Sequence, residues 1–516
     1  MGFSACIRFV LLVALFALSK AFISQPRPPT TVSRINTRYS GTPLNVAPWR
    51  KSRSEISKFS MSAAAAEGLQ QLAQNNEMET LVIGMFGGGT VGGGVYEICQ
   101  KKKALFESLG ANIRIKTICV RSLDKPRDFT VADGTTITTD FNAILDDDEI
   151  NCVVEVMGGT TAAKDVVYAA IEKGKHVVTA NKALLAQYLP ELQARLKARP
   201  LLKFGYEAAV CGGIPIIHTL QNDYLGDKIR KILGIMNGTT NFMLTKMESE
   251  GADYAAVLAE AQALGYAEAD PTADVEGHDV QAKIALAAKL AFGVNVPVDQ
   301  VPCTGISQIA ANDFKYARAM GRTIKLAGVA QLSPTSGALS VYVSPVVCPL
   351  EHPMAAARLA TNMVEVTSDN LGSTSYVGPG AGRFPTANSV VNDAVRAARG
   401  LAGPPFPLDK PLKLDPNYRA RFYVRAPIRD NLGVVAALGN LAERHGISIF
   451  SIPMMSAADA ENRREVVLTT STTTAKAINQ FVQDMDNEKF CLEPPVVMTM
   501  LDMPAMVGSP GEGQHL

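Results

Sequence analysis

A run of glycines behind a short apolar segment constrains the fold of this chain more than any other feature. Residues 79–86 have the apolar pattern of a buried strand, and residues 87–94 follow at once with the sequence GGGTVGGG. Glycines spaced as G-x-G-x-x-G between a strand and a helix let backbone N–H groups approach a pyrophosphate closely. A glycine-rich turn without a ligand is the alternative, but the flanking strand and helix favour a binding site. The pattern therefore predicts an α/β domain with a parallel sheet, in which a dinucleotide is bound by Gly87, Gly89, Thr90, Val91 and Gly92.

The residue that follows the second strand indicates which dinucleotide is bound. Residues 113–120 predict this strand, and Arg121 comes directly after it. NAD-binding domains usually place an acidic residue here, where it binds the ribose hydroxyls. A guanidinium instead suits a 2′-phosphate, to which it can donate two parallel hydrogen bonds. Arg121 therefore favours NADP(H), with NAD(H) retained as a second cofactor, whereas a solvated residue at a strand end is the alternative.

Two further strands lead into turns that could hold ligands. The apolar run 152–157 ends at Met157 and Gly158, and the run 176–180 leads into Asn181 and Lys182. In an open α/β sheet, ligands bind beyond the carboxyl ends of the strands. Met157 and Lys182 are therefore expected to contact the cofactor, although each of them could simply end its strand.

A second informative stretch combines several carboxylates with one lysine. Residues 265–283 read GYAEADPTADVEGHDVQAK. Pro271 and Gly277 interrupt helical structure, so the first part is predicted to be a loop, and the residues from Asp279 onward favour a helix. Asp279 and Lys283 would then lie one turn apart on the same helix face. A lysine held by a carboxylate could act as a general acid, whereas an ordinary ion pair on a helix surface is the alternative.

Length, charge and cysteine content limit the classes of protein that fit. The chain has 516 residues, too many for one hydrophobic core, and it is 47% apolar and 19% charged, as globular proteins are. The net charge of +1 gives no indication of a nucleic-acid partner. None of the eight cysteines forms a C-x-x-C pair, so the cysteine spacing predicts neither a metal site nor a disulfide framework.

Residues 1–60 are predicted to be a bipartite targeting presequence rather than part of the fold. The apolar run Phe9–Leu18 is too short to span a bilayer, and Ser19 and Ala21 predict signal cleavage before Phe22. Residues 22–54 contain no acidic residue and are rich in Ser, Thr, Pro and Arg. This combination resembles the plastid presequence of algae with complex plastids, and secretion with a propeptide is the alternative. The mature protein is expected to have no membrane partner, since no other apolar run is long enough to cross a bilayer.

Several stretches together resemble the homoserine dehydrogenase family. They are the glycine run, VTANK at 178–182, YEAAVCGGIPI at 206–216, GIMNGTTNF at 234–242, the acidic stretch at 265–283 and GPGAGRFPTA at 378–387. The resemblance covers about residues 80–400 and is to the monofunctional form, without an aspartokinase segment. It implies the reversible, NAD(P)-dependent interconversion of L-homoserine and L-aspartate 4-semialdehyde, in threonine and methionine biosynthesis.

The resemblance also implies roles for individual residues. Lys283 would donate a proton to the carbonyl oxygen of the substrate. Glu268 and Asp279 would bind the substrate, with Glu268 facing its ammonium group. Lys182 would lie near both the substrate and the nicotinamide, and Gly382 would return to the cofactor late in the chain.

A cation site is implied in the same way. Glu207, Val210, Gly212 and Ile214 correspond to a family loop that binds Na⁺ through a carboxylate and several backbone carbonyl oxygens, which are ligands that hard cations prefer. Cys211 departs from the small residue usual at its position and could expose a reactive thiol. A tight glycine turn is the alternative for this loop.

The domain organisation predicted from these patterns has a C-terminal regulatory part. Residues 78–205 would form the Rossmann-type domain, with a return segment at 378–400, and residues 206–377 an α+β domain for substrate binding and dimerisation. After a linker rich in Pro and Gly, residues 410–505 show a β-α-β-β-α-β order that resembles an ACT domain.

An amino-acid effector is implied by this resemblance. The loop Asp430–Gly433 would bind it, with L-threonine as the candidate, where such segments pair in a homodimer or homotetramer. Leu432 and Ser471 depart from the usual ACT pattern, which has a proline and a histidine there.

Two other functions stay open on the sequence alone. Another Rossmann enzyme for an amino-acid aldehyde, such as aspartate-semialdehyde dehydrogenase, would need a nucleophilic cysteine beside a base, and no cysteine stands in such a setting. A regulatory protein that merely binds a cofactor would not need the Asp279–Lys283 pair.

Overall fold

The computed structural model describes residues 80–401, 405–455 and 459–503. The predicted presequence at 1–60 lies outside these ranges. Within them the chain forms two β-sheets with associated helices. Across the described ranges, no helix has both the length and the apolar character needed to cross a membrane.

Residues 80–205 form the first sheet. Its strands are β1 Thr80–Phe86, β2 Asn112–Cys119, β3 Thr136–Thr138, β4 Cys152–Glu155, β5 His176–Thr179 and β6 Phe204–Gly205. Its helices are α1 Thr90–Lys101, α2 Lys103–Ser108, α3 Asn142–Leu145, α4 Thr161–Glu172 and α5 Lys182–Lys197. The strands are all parallel, in the order β3-β2-β1-β4-β5-β6, which is the Rossmann order expected from the glycine run. The strand order reverses beside β1, so the carboxyl end of β1 is the point where a dinucleotide would bind.

The middle of the chain supplies five of the ten strands of the second sheet. Its helices are α6 Ile216–Asn222, α7 Gly238–Glu250, α8 Tyr254–Ala263, α9 Thr272–Val275, α10 His278–Phe292 and α11 Ala311–Ala319. Its strands are β7 Ile229–Ile235, β8 Arg322–Leu332, β9 Leu339–Pro349, β10 Thr361–Ser368 and β11 Gly372–Pro379. The one-turn helix α9 replaces part of the loop predicted before Asp279. Pro271 stands at its N-cap, where the missing N–H of proline costs nothing.

Helix α12, Arg383–Ala398, returns the chain to the first sheet, as the predicted return segment requires. It packs on α1, and the glycines of α1 explain how the two helices come so close. A Cβ on Gly94 would lie 2.9 Å from both the carbonyl oxygen of Arg383 and the Cβ of Ala387. Glycine is a poor helix former, so its presence inside α1 is explained by this close approach.

The C-terminal part has the predicted β-α-β-β-α-β order. Its elements are β12 Arg419–Arg429, α13 Val434–Arg444, β13 Ile449–Met455, β14 Arg463–Thr470, the two-residue strand β15 Thr473–Thr474, α14 Ala475–Asp486 and β16 Val496–Met500. Strand order within this part is β16-β12-β14-β13, with antiparallel neighbours, as in ferredoxin-like folds.

The predicted linker does not isolate this C-terminal part. Strand β16 pairs in parallel with β9, at Thr499↔Val346 and Met500↔Val347, so both parts share one ten-stranded sheet. The complete order is β11-β10-β7-β8-β9-β16-β12-β14-β13, with β15 paired to β12. The linker is rich in Pro and Gly, which suggested a separate domain after it. The pairing of β16 with β9 joins residues about 150 positions apart, so the local sequence did not indicate it.

A buried ionic cluster also joins the two parts. Arg425 of β12 donates from Nε to Asp313 Oδ1 on α11 at 2.7 Å, and from Nη1 to Glu465 Oε1 on β14 at 3.1 Å. The hydroxyl of Tyr423 donates to the same Asp313 oxygen at 2.8 Å. Asp313 is fully buried and Arg425 nearly so, so the C-terminal part is fixed to α11 by an ion pair that is largely shielded from water.

Candidate active site

Lys283, Asp279 and Lys182 meet between the two sheets. Lys283 Nζ lies 2.7 Å from Asp279 Oδ2 on α10, which fits the one-turn spacing predicted from the sequence. Lys182 Nζ, at the start of α5, lies 2.8 Å from the other carboxylate oxygen, Oδ1. Lys283 and Asp279 are buried, whereas the Lys182 side chain is 43% exposed. The Asp279 carboxylate therefore binds two ammonium groups, the buried one of Lys283 and the accessible one of Lys182. Lys182 follows β5 and so lies at the edge of the first sheet where the strands end.

The glycine at the N-cap of helix α10, Gly277, sets the direction of that helix. Gly277 has a φ of 85°, and a Cβ there would lie 3.0 Å from Cys303 Sγ and 3.1 Å from Val343 Cγ1. A positive φ with no free space requires glycine. The break at Gly277 that the sequence indicated therefore sets the direction of the helix that carries Asp279 and Lys283.

Asn237 organises the carboxylates of this cluster, and sequence reasoning did not assign it a role. Its Nδ2 donates to Asp279 Oδ2 at 2.9 Å and to Asp274 Oδ1 at 2.7 Å. Its Oδ1 accepts the backbone N–H of Thr240 at 2.8 Å and so caps α7. The signal was present in the sequence, since Asn is a preferred N-cap and Asn237 precedes a helix.

The charges of the cluster determine its protonation. Burial alone would lower the pKa of Lys283, but the Asp279 carboxylate outweighs burial and raises that pKa above its ordinary value. Burial would raise the pKa of Asp279, but the ammonium groups of Lys283 and Lys182 outweigh it and lower that pKa. Burial raises the pKa of Asp274. Lys283 therefore stays protonated, as a proton donor must.

One N–H group of Lys283 is left over for a substrate. An ammonium group has three N–H donors. One donates to Asp279 Oδ2, and a second donates to the backbone oxygen of Met236 at 2.6 Å. The remaining donor can point at an oxygen atom bound beside the cluster.

The glycine run forms a cradle at the end of β1. Gly87 has a φ of 111°, and a Cβ on Gly92 would collide with the carbonyl oxygen of Gly87. Gly89 and Thr90 are exposed, and in the described residues no side chain caps α1 and no acidic residue lies in its first turn. The first N–H groups of α1 are therefore free to bind an anion such as a pyrophosphate. The residues fit the dinucleotide predicted for this turn.

Arg121 lies beside this cradle, exposed, two residues past the end of β2. The cradle and the β2 end touch, since a Cβ on Gly88 would lie 2.9 Å from Val120 Cγ1. Arg127, which the sequence interpretation did not include, donates to the carbonyl oxygens of Ser122 and Lys125 and holds the loop after β2 together. The structure thus brings Arg121 to the edge where a 2′-phosphate would be expected.

A buried carboxylate shapes the ends of β4 and β5. Glu155 Oε1 accepts the N–H of Met157 at 2.8 Å, and Oε2 accepts the hydroxyl of Thr179 at 2.6 Å. Asn181 caps α5 through the N–H of Leu184 at 3.0 Å. These bonds fix the turns that carry Met157 and Lys182. No sequence pattern indicated a role for Glu155, which lies inside an apolar run.

The comparisons with known proteins agree with this geometry. Residues 87–199 match the family model described as homoserine dehydrogenase, NAD binding domain, and residues 215–395 match the model described as homoserine dehydrogenase. The homoserine dehydrogenase of Bacillus subtilis (strain 168) is 37% identical over 420 residues, which cover 80% of this chain and 96% of that protein. This chain belongs to the homoserine dehydrogenase family. The predicted enzyme class, an NAD(P)-dependent oxidoreductase acting on a CH–OH group, is thereby confirmed.

Solved structures of homoserine dehydrogenases confirm the fold class. A homoserine dehydrogenase from Thiobacillus denitrificans superposes with a TM-score of 0.76 at 34% identity, covering 82% of this chain and 99% of that one. A hyperthermophilic archaeal homoserine dehydrogenase in complex with NADPH has a TM-score of 0.52 at 26% identity, covering 64% of this chain and 100% of that one. A nicotinamide cofactor is supported at this level.

In the loop that the family resemblance assigns to a cation, the Glu207 carboxylate binds the start of a helix. Glu207 Oε1 accepts the N–H of Ile217 at 2.9 Å and Oε2 accepts that of His218 at 2.7 Å, so the carboxylate caps α6. Burial raises the pKa of Glu207 to about 8, and the neighbouring charge of Asp393 adds to this. Each oxygen of the carboxylate accepts one hydrogen bond here and keeps further lone pairs, so the role of cation ligand stays a prediction.

The carbonyl oxygens of the same loop remain suitable ligands. Gly212 O accepts the hydroxyl of Ser389 at 2.7 Å, and Ile214 O accepts the N–H of Ile216 at 2.8 Å. Each carbonyl oxygen has a second lone pair. A cation in this homoserine dehydrogenase loop would thus be held by backbone oxygens of Glu207, Val210, Gly212 and Ile214.

Cys211 is buried in the structure, whereas Glu268 lies in an exposed loop. Cys211 is fully buried with a φ of 54°, and burial raises its pKa to about 11, so the expected exposed thiol is wrong. Glu268 lies in the exposed loop between α8 and α9, and its backbone oxygen accepts from Gln262 Nε2 at 3.1 Å. Among the described residues, no hydrogen bond joins the Glu268 carboxylate to Asp279 or Lys283.

Gly382 stands at the junction of the two sheets. It is the N-cap of α12 with a φ of 122°, which favours glycine. The next residue, Arg383, pairs with Glu97 of α1 and Asp128 of the loop after β2. The structure therefore brings the return segment against the cofactor-binding helix.

Proposed function

We propose that this member of the homoserine dehydrogenase family reduces L-aspartate 4-semialdehyde to L-homoserine with NADPH, reversibly, in threonine and methionine biosynthesis. The observation that carries the proposal is the buried Lys283–Asp279 pair with Lys182 on its open side. The substrate is an amino acid with an aldehyde group, so its site needs anionic and cationic side chains together. Asp279, Lys182 and Lys283 supply both.

Lys283 is the proton donor in this proposal. Negative charge develops on the carbonyl oxygen during reduction, and an ammonium group at that oxygen stabilises the charge and then transfers a proton. When bound, NADPH supplies the hydride. Asp279 keeps Lys283 protonated, and Asn237 orients Asp279, so the donor is aimed before the substrate arrives.

The remaining substrate contacts follow from charge. Glu268 is accessible and anionic, which suits the substrate ammonium group. Lys182 is accessible and cationic, and it stands between the end of β5 and Asp279, so it can contact both the substrate and the nicotinamide. Met157, Gly382 and the glycine cradle would complete the cofactor site.

Preference for NADPH is proposed from Arg121, with support from the NADPH complex of the archaeal relative. Replacing it with alanine, Arg121→Ala, should weaken NADPH binding more than NADH binding, because NADH lacks the 2′-phosphate. A hydrogen bond to a charged group corresponds to a change in selectivity of roughly 10–150-fold. The measurement is kcat/KM with each cofactor, and equal losses for both would assign Arg121 a structural role.

Four further parts of the proposal rest on the sequence patterns and the family resemblance. Na⁺ would bind the backbone oxygens of the 207–214 loop, which a comparison of activity in sodium and choline chloride would test. The chain would act as a homodimer or homotetramer through residues 206–377, and its C-terminal ACT-like part would respond to L-threonine. The presequence would direct it to a plastid, with secretion as the alternative.

A spectrophotometric assay separates this activity from its competitors. We expect NADPH to be oxidised when L-aspartate 4-semialdehyde is added, without phosphate. An aspartate-semialdehyde dehydrogenase would instead reduce NADP⁺ when given the semialdehyde and phosphate, and a regulatory protein would do neither. The buried, protonated state of Cys211, beside Lys283, argues against a thiolate nucleophile at this site.

A further inference from the structure

The loop that follows β2, residues 121–131, carries Arg121 but forms neither a helix nor a strand. Most of its residues are exposed. A ligand that is recognised by Arg121 must meet this loop in one conformation, because ordering a loose loop on binding costs affinity. The contacts that hold the loop therefore bear on how well the 2′-phosphate of NADPH is recognised.

Arg127 holds the first half of this loop from within. Its Nη1 donates to the carbonyl oxygens of Leu123 at 3.2 Å and Lys125 at 3.1 Å. Its Nη2 donates to the carbonyl oxygen of Ser122. Its Nε lies 3.6 Å from the position that a Cβ on Gly88 would take, so the guanidinium also rests on the glycine cradle. These contacts fix the residues directly after Arg121 against the turn where a pyrophosphate would bind.

The second half of the loop is held from outside, by the return segment. Asp128 accepts a hydrogen bond from Nη1 of Arg383, the residue after Gly382. Nη2 of the same guanidinium donates to Glu97 on α1. The side chains of Arg383 and Glu97 are 18% and 22% exposed, so their ion pair is largely shielded from water. These two ion pairs, the Arg383 bridge, join the loop, α1 and the start of α12.

The Arg383 bridge lies one helical turn from the cradle. A Cβ on Gly93 would lie 3.0 Å from Arg383 Nη2 and 3.3 Å from Asp128 Oδ1. The N–H of Gly93 donates to the carbonyl oxygen of Gly89 at 2.8 Å, so the two glycines are successive along one face of α1. The space that Gly93 leaves therefore lets the loop and the return segment reach α1 next to the turn that binds the cofactor phosphates.

We propose that Arg383 is a positioning residue for cofactor selectivity, which fixes the 121–131 loop so that Arg121 meets the 2′-phosphate of NADPH. Arg383 touches no reacting atom in this role and acts through Asp128. Binding of the rest of the dinucleotide depends on the cradle and is affected little. The inference rests on the proposed preference for NADPH, because NADH has no 2′-phosphate to be recognised.

Binding of two nucleotides to the full-length enzyme tests this role without turnover. Adenosine 2′,5′-bisphosphate carries the 2′-phosphate, and adenosine 5′-monophosphate lacks it. Calorimetric titration of both gives the preference for the 2′-phosphate as the ratio of the two Kd values. Arg383→Ala should lower this preference by roughly 2–12-fold, the range that one hydrogen bond contributes, and should bind the monophosphate as wild type does. A loss of stability alone would weaken both nucleotides equally.

Asp128→Ala separates fixation of the loop from a simple effect of charge. It breaks the Arg383 bridge from the loop side but removes a negative charge, which by charge alone would strengthen phosphate binding. Fixation predicts a loss of preference in this variant too. Lys101→Ala is the matched control. Lys101 is the other partner of Glu97, at 2.7 Å, and its loss removes the same charge as Arg383→Ala, yet it should behave as wild type.

The outcomes distinguish this inference from the proposed function. An unchanged preference in Arg383→Ala or Asp128→Ala overturns the role of Arg383 and leaves the proposed preference for NADPH standing. An equal loss in Lys101→Ala would also overturn it, because the effect would then come from net charge. Equal affinity of the wild type for both nucleotides would refute the preference for NADPH itself, and the role of Arg383 with it.

Discussion

At the scale of single residues, Asp279 is the centre of the cluster proposed as the active site, which contains Lys182, Lys283 and Asn237. It accepts hydrogen bonds from Asn237 and Lys283 and pairs with Lys182. Its two oxygens therefore fix both lysines in position relative to the end of β5. Without that carboxylate, Lys283 would be a buried cation that has lost its hydrogen-bonded counter-charge, a state that lowers the pKa of a lysine.

Asp279→Asn should move the pH dependence of the reduction. The variant keeps the shape of the side chain but removes its charge, so the pKa of Lys283 falls. A general acid works only below its pKa, so the alkaline limb of the kcat–pH profile should move to lower pH. Asp270→Asn, in the exposed part of the same loop, is the control. An unchanged alkaline limb in Asp279→Asn would mean that another group donates the proton.

The sequence could predict one of the two ion pairs of this cluster, that between Asp279 and Lys283. The spacing of Asp279 and Lys283 was readable because a helix brings residues one turn apart together. The contact of Lys182 with Asp279 was not, since it joins α5 to α10 across two sheets. The family resemblance made the Glu207 carboxylate a candidate cation ligand, whereas its hydrogen bonds to the start of α6 appear only when the loop is folded.

At the scale of elements, the glycines at the start of α1 have different functions. The G-x-G-x-x-G motif alone does not distinguish these functions. Gly92 packs against the carbonyl oxygen of Gly87, whereas a Cβ on Gly89 would meet no atom within 4 Å. Gly89 has a φ of −90°, so its backbone tolerates other residues. Gly92 therefore maintains the turn itself, and Gly89 leaves room for the cofactor.

Replacement of each glycine by alanine should separate these functions. Gly92→Ala forces a methyl group into the turn, and overpacking of this kind costs about 1–3 kcal/mol of stability, so Tm without cofactor should fall. Gly89→Ala should keep the Tm of wild type without cofactor and bind NADPH more weakly. Differential scanning calorimetry and fluorescence titration measure the two effects. Equal Tm losses in both variants would contradict the assignment.

At the scale of the whole molecule, the C-terminal part extends the second sheet through the pairing of β16 with β9. Ending the chain at residue 401 would expose the edge of β9 and leave Asp313 buried without Arg425. It would also remove Asp409, the partner of the fully buried Lys289. A truncated chain would therefore lose stability before any question of regulation arises, so point variants are the better test of the effector site.

The cluster around Arg425 should contribute strongly to stability. Arg425→Ala leaves Asp313 as a buried charge without its counterion, and breaking such a pair costs about 3–5 kcal/mol. Urea denaturation should show this loss. Arg463→Ala, which breaks the exposed pair with Glu493, should change the free energy of unfolding little. Similar small losses in both variants would show that the two parts are held together by strand pairing alone.

The most direct test of the central claim is the single-turnover rate of NADPH oxidation by Lys283→Ala with L-aspartate 4-semialdehyde. Loss of general-acid catalysis should slow this rate by roughly 10²–10⁴-fold. NADPH affinity, measured by fluorescence, should stay close to that of wild type, because Lys283 does not line the glycine cradle. A rate near that of wild type in a folded, NADPH-binding variant would contradict the role of Lys283 as the proton donor.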